Sequence, residues 1–295
     1  MVTVKKFDGK EGNVWKFVFD FGDAIAEAVL YKYQSFGERT VLCISVQSGC
    51  PVGCKFCGTG KKFVRNLTSE EIQYQVTRVL LEMNLTDCIK NCRKFQIMFM
   101  SMGEPFLNYF EVEKAIISLN MWHPNAQLLV STMGPKKPQF FGDFIKLSHK
   151  INKVGLQFSV HEAIEEKRNL LIPFKDKLTL REMRDIGICW HGITDRKVYI
   201  NYCVNENNVS QVEKDRLMDL FSPYSFAFTF SVICSADETM KDAGFRNKVF
   251  IEKFMQSFVD AEYDCRMFDP AGQDDIGGGC GQLWYVQEWM KKHGR

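Results

Sequence analysis

The chain has 295 residues, 45% of them hydrophobic and 25% charged, with a formal net charge of +2. That balance fits a soluble globular protein of one or two domains, a single barrel included, and it carries no strong electrostatic attraction for nucleic acid. The polar start MVTVKKFDGKEGNVW and the lack of a long apolar run speak against a signal peptide and against a membrane span.

In chain order, the segment NVWKFVFDFGDAIAEAVLYKYQ alternates and is rich in aromatics, which predicts a hairpin packed on the rest of the fold. From about residue 41, apolar strand-like runs alternate with amphipathic stretches. The predicted strands are Thr40–Val46, Phe95–Ser101, Gln127–Thr132, Gly155–Val160, Val198–Val204 and Ser225–Ile233. Between the first two lies TSEEIQYQVTRVLLEM, a helix with Thr68 or Ser69 as its cap and acids in its first turn. Further helices fit Tyr109–Asn120, Gln139–Lys150, Leu178–Ile186, Ser210–Phe221 and Arg246–Asp260. Repeated strand-then-helix units imply an α/β fold with a parallel sheet and helices outside it. About six units predict a partial (β/α)6 barrel, with residues 1–40 as a β-rich extension and 41–295 as the barrel. Chemistry in such folds gathers at the carboxyl ends of the strands.

The motifs follow those strand ends. Cys50, Cys54 and Cys57 lie in CISVQSGCPVGCKFC with CxxxCxxC spacing. Three thiolates on one loop suit three corners of a cubic iron–sulfur cluster, leaving the fourth iron open. Structural zinc ordinarily takes four protein ligands, and no second pair follows. Next come MSMGEP, with Gly103 and Glu104; STMGP, with Ser131; and SVHEA, with Ser159, Val160 and His161. Gly103 lets backbone approach a ligand closely, and Glu104 can accept from an ammonium; a GEP triplet alone is also an ordinary turn. His161 reads as ligand-facing if it shares the barrel mouth, and otherwise as a satisfied polar residue. Near the end, Cys280 follows Gly277–Gly279 in GQDDIGGGCGQLW. A thiol on so mobile a backbone suits a nucleophile that moves between partners. Cys43, by itself, reads as a buried strand residue. Cys88, Cys92, Cys189, Cys203, Cys234 and Cys265 show no ligand-like grouping. The small basic groups (Lys61, Lys62 and Arg65; Lys136 and Lys137; Lys291, Lys292 and Arg295) read as solvated surface.

The CxxxCxxC loop resembles that of radical S-adenosylmethionine (SAM) enzymes, in which the open iron chelates SAM. The motif series VLCISVQSGCPVGCKFCGTG, VRNLTSEEI, MSMGEPFLN, LLVSTMGP, LQFSVHEA, RNLLIPF and DDIGGGCGQL resembles, in order, the RlmN/Cfr family of radical SAM RNA methyltransferases. The resemblance runs from about residue 25 to the end, and the pairing of Cys43 with a CGQL segment is its most specific part. It implies a radical SAM barrel and a [4Fe–4S] cluster on Cys50, Cys54 and Cys57. SAM would be held by Gly103, Glu104, Ser131, Ser159, Val160 and His161. It implies methylation of an adenosine in ribosomal RNA or transfer RNA, at carbon 2 or, as in the Cfr branch, carbon 8.

By the same resemblance, Cys280 takes a methyl from one SAM, and a 5′-deoxyadenosyl radical from a second SAM removes a hydrogen from that methyl. The methylene radical adds to the adenine, a base takes the ring proton, and Cys43 attacks the Cys280 sulfur to release product and form a transient disulfide. Glu27, in AIAEAVLY, matches the family's base; its other reading is a surface carboxylate. Implied partners are the RNA, an electron donor such as flavodoxin or ferredoxin, and a thiol reductant in a reducing cytoplasm, with no membrane. Three departures stand out. The family's later asparagine contact is unmatched, so Ser235 substitutes or the contact is absent. The arginine usual before DDI is missing. The N-terminal RNA-binding domain has no counterpart, so RNA recognition is expected to be reduced, altered or supplied by a partner. Two competing readings remain: a radical SAM enzyme with a different target, and an RNA or ribosome binder that keeps the fold without the activity.

Overall fold

The computed structural model of the chain describes residues 2–60, 62–233, 247–272, 275–279, 281–283 and 285–294. Three antiparallel strands come first: β1 (Thr3–Asp8), β2 (Val14–Asp20) and β3 (Ile25–Tyr33). They pair in sequence, and β3 pairs antiparallel with β4 (Arg39–Ile44). The segment expected to be a hairpin packed on the barrel is β2 and β3; β1 precedes it, and all three strands instead continue the barrel's own sheet through the pairing of β3 with β4.

A small antiparallel ribbon of β5 (Gln47–Gly49) and β6 (Phe63–Asn66) follows, and then helix α1 (Ser69–Glu82). The alternation is then regular: β7 (Lys94–Phe99), α2 (Tyr109–Trp122), β8 (Gln127–Thr132), α3 (Pro138–Lys150) and β9 (Val154–Ser159). Two helices, α4 (Glu165–Leu171) and α5 (Leu180–Thr194), precede β10 (Val198–Cys203). After them come α6 (Gln211–Leu220), β11 (Phe226–Ser231), α7 (Lys248–Val259), β12 (Cys265–Phe268) and α8 (Tyr285–Lys292).

Among the described residues, ten strands form one sheet in the order β1-β2-β3-β4-β7-β8-β9-β10-β11-β12. From β4 onward all neighbours are parallel. The six strands expected from sequence are β4 and β7–β11, and β12 adds a short seventh. This is the α/β barrel-like fold that the strand–helix alternation predicts. Strands covered on both faces should read as continuous apolar runs; β11, FAFTFS, is buried along its whole length. Three helices start on capping boxes: Thr68 with Glu71, Thr179 with Glu182, and Ser210 with Glu213. Each box satisfies two backbone donors that the first turn would otherwise orphan. No helix among the described residues is long and apolar enough to cross a membrane.

Candidate active site

The cysteine loop leaves β5 and returns through β6. The amide of Cys50 donates to the Lys62 carbonyl at 2.9 Å, closing the loop at its base. Farther out, Lys55 donates to the Leu171 carbonyl at 2.9 Å, tying the loop to the end of α4. Cys50 and Cys54 pack against a small apolar cluster of Val52, Met133 and Ile172. All three cysteines line one pocket, together with Gly103, Glu104, Ser131, Ser159 and His161. The strand-end motifs thus line one pocket. Val160 is fully buried behind this wall, its amide donating to Asn201 and its carbonyl accepting from Glu162.

The donor set suits an iron–sulfur cluster. Soft thiolates select iron–sulfur centres and zinc, and these three cysteines line a single pocket. Among the described residues no three ligating side chains converge on one point for a single ion. Burial pushes the Cys50 thiol up to about 12 and raises Cys54 as well; a bound metal displaces those protons.

Glu104 is the best-anchored group in the pocket. Its Oε1 accepts from the Thr132 hydroxyl at 2.5 Å and from the Phe106 amide at 3.1 Å, and Oε2 accepts from the Met133 amide at 2.9 Å. Three of a carboxylate's four acceptor positions are filled, leaving one for a ligand. Desolvation pushes its pKa up to about 7, opposed by those donors, Thr132 foremost. The Glu104 amide donates to Gln47 Oε1 at 2.9 Å, so the turn is fixed to β5.

Ser131 and Ser159 face each other, Oγ to Oγ, at 3.2 Å. His161 has φ of +60° and accepts from the Cys203 amide through Nδ1 at 3.1 Å. That contact leaves Nε2 carrying the proton. Burial, with Arg168 nearby, lowers its pKa to about 3, so the ring is a neutral donor. Arg168 is fully buried and donates to the carbonyls of Leu178 and Met133, both at 2.8 Å. Sequence reading passed over it, although it opens the RNLLIPF run.

Cys280 and Ser235 lie outside the described residues; the backbone flanking Cys280 does not. On one side, the Gly58 amide donates to the Gly281 carbonyl at 2.6 Å, and the Thr59 hydroxyl to the Leu283 carbonyl at 2.8 Å. Gly281 also lines the cysteine pocket. On the other side, Tyr31 donates through its hydroxyl to the Gly278 carbonyl. The register of the sheet gives this contact meaning. Lys16 on β2 pairs with Val29 on β3, and Val29 pairs with Cys43 on β4. Directly opposed residues share a face, so Lys16, Val29 and Cys43 form one row, with Glu27 and Tyr31 on the same face of β3. Gly277–Gly279 lie over that face. Cys43 is 8% exposed and lines a second pocket with Gln157, Thr229 and Arg266; Met100 and Asn201 are common to both pockets.

Glu27 is fully buried, which removes the surface reading. Its Oε1 accepts from the Tyr285 amide at 2.9 Å, and its Oε2 lies 3.5 Å from Lys16 Nζ. Desolvation pushes its pKa up to about 7, with Lys16 the main opposing influence.

No family model matches the chain. Among individual proteins it is similar to a probable dual-specificity RNA methyltransferase RlmN of Petrotoga mobilis. The two are 30% identical over 292 residues, covering 95% of this chain and 77% of that one. A ribosomal RNA large subunit methyltransferase Cfr of Clostridium botulinum is 29% identical over 297 residues, covering 98% and 81%. A solved radical SAM methyltransferase from Sphaerobacter thermophilus superposes with a TM-score of 0.80 at 25% identity, covering 95% of this chain and 80% of that one.

Proposed function

The chain belongs to the RlmN/Cfr family of radical SAM RNA methyltransferases, and from that premise we propose that it methylates carbon 2 of an adenosine in ribosomal RNA, with transfer RNA as a second substrate. The observation that carries the reading is one pocket lined by Cys50, Cys54, Cys57, Gly103 and Glu104, with Gly281, the residue after Cys280, in the same lining. A [4Fe–4S] cluster and SAM are the cofactors; bound together they supply a one-electron cleavage that yields a hydrogen-abstracting carbon radical.

In this reading Cys50, Cys54 and Cys57 hold the cluster. Glu104 takes the ammonium of SAM at its remaining acceptor position, beside Gly103, and Ser131, Ser159 and His161 contact the rest, with Val160 packed behind. Cys280 carries the methyl group as a thioether, because carbon 2 of adenine is electron-poor and does not attack an electrophilic methyl. Glu27 removes the ring proton once the base is joined to Cys280, and the unpaired electron of the joined base returns to the one-electron relay that supplied it. Cys43 then attacks the Cys280 sulfur; a sulfur–sulfur bond forms, the sulfur–carbon bond breaks with its electron pair on carbon, that carbon takes up a proton, and the methylated base leaves. A thiol reductant supplies two electrons to reset the pair, and a flavodoxin or ferredoxin supplies the single electron. A cytoplasmic setting goes with this reading. Residues 1–40 act as an extension that grips the carrier segment, and 41–295 as the barrel with that segment.

The test is expression in cells lacking their own such methylase, followed by mass spectrometry of digested RNA. Recovery of 2-methyladenosine is expected; recovery of 8-methyladenosine alone overturns the carbon-2 assignment. Cys43→Ala is expected to accumulate a covalent protein–RNA adduct on a denaturing gel, and a clean gel removes the role given to Cys43.

A further inference from the structure

We propose that Lys16 is a positioning residue for Glu27, fixing that carboxylate and the glycine segment before residue 280 on one face of the sheet. The inference rests on the reading that Glu27 removes the ring proton.

Lys16 sits in the middle of the apolar strand VWKFVFD and is 1% exposed. A lysine is almost never fully buried without partners, and the groups that this ammonium contacts are electron-rich. Its Nζ lies 3.5 Å from Glu27 Oε2 and donates to the Gly277 carbonyl at 3.4 Å. It also sits over the Tyr285 ring, 4.9 Å from the centroid, and 5.7 Å from that of Phe7. An ammonium has three donors and no acceptor; carbonyl, carboxylate and two aromatic faces suit it. The other groups that act on the pair are Lys5 of β1, over the same two rings, and Tyr285 and Glu288 of α8.

Two consequences follow from this placement. Glu27 Oε2 takes no close hydrogen bond among the described residues and faces Lys16 Nζ at 3.5 Å, so Lys16 compensates its charge while lone pairs remain for a proton. The same ammonium binds the backbone of Gly277, so the proton acceptor and the carrier segment share one anchor. Burial works against the charged form of Glu27, and Lys16 is the strongest influence in its favour. Without Lys16 the carboxyl rises further above about 7 and is protonated over more of the neutral range. Methylation that needs the carboxylate then falls away at a higher pH as pH is lowered.

Lys16→Met keeps the length of the side chain and removes its charge. We expect the acid limb of RNA methylation to move up by at least one pH unit. We also expect the rate at pH 7 to fall tenfold or more and amide exchange across 275–283 to quicken. Reductive cleavage of SAM without RNA should stay at the wild-type level, because Lys16 does not touch the cysteine pocket. Lys16→Arg, which keeps the charge, should restore the limb. If Lys16→Met does not fold, Lys16→Gln takes its place. A wild-type pH profile in Lys16→Met alongside an inactive Glu27→Gln overturns this proposal alone. A fully active Glu27→Gln overturns both the proposal and the base reading on which it rests.

Discussion

Thr132 shows how one hydroxyl anchors a pocket carboxylate. Its 2.5 Å hydrogen bond is the leading donor to Glu104, and hydrogen bonds to charged groups contribute about 1.5–3 kcal/mol each. Thr132→Val is therefore expected to weaken SAM binding roughly tenfold or more, read by calorimetry, while Thr132→Ser retains it. Glu104 was legible in the sequence because MGEP is local. Thr132 and Met133 were not, because their contact with Glu104 spans 28 and 29 residues and only the parallel pairing of β7 with β8 creates it. Lys16 left a visible trace, a lone cation inside an apolar strand, but its counter-ion stands on the next strand. His161 was legible as a pocket residue. Its use of Nδ1 to bind the Cys203 amide depends on a left-handed backbone that composition does not reveal.

At the scale of elements, the cysteine loop is held by short pieces that carry little sequence signal. β5 and β6 span three and four residues, and α4 has no side-chain cap at its N-terminus. Runs that short do not establish a period, so the ribbon, α4, β12 and α8 escaped a reading that found the long strands and capped helices. Gly103 is where the ribbon meets the barrel. Its φ is +96°, and a Cβ there would lie 2.6 Å from Gln47 Cβ and 2.8 Å from the Gln47 amide nitrogen. The second contact is backbone and cannot swing aside. Gly103→Ala is expected to cost about 1–3 kcal/mol in strain, and displacing Gln47 pulls away the acceptor that fixes the Glu104 amide. A lowered Tm together with weakened SAM binding would be the signature; unchanged binding would show that the turn does not position Glu104.

At the scale of the whole molecule, the first strands and the last helix are fastened to each other. The Lys10 amide donates to Asp275 Oδ2 at 2.7 Å, the Tyr285 amide to Glu27 Oε1 at 2.9 Å, and the Phe7 and Tyr285 rings lie 5.4 Å apart. Removing residues 285–295 would take away the amide that Glu27 Oε1 accepts from and the ring over Lys16, and would open that face of β1–β3 to water. Hydrogen exchange should then report lost protection across β1–β3 while β7–β10 keep theirs. Equal loss everywhere would mean that the sheet unfolds as one unit.

That fastening also imposes an order in time. Domains form from the N-terminus as the chain is made, so β1–β3 and the cysteine loop exist before the segment that docks on both. The cysteine loop is therefore made long before the glycine segment that docks beside it. Until the last turn of chain arrives, Glu27 has no Tyr285 amide to accept from and the Gly58 amide has no Gly281 carbonyl to donate to.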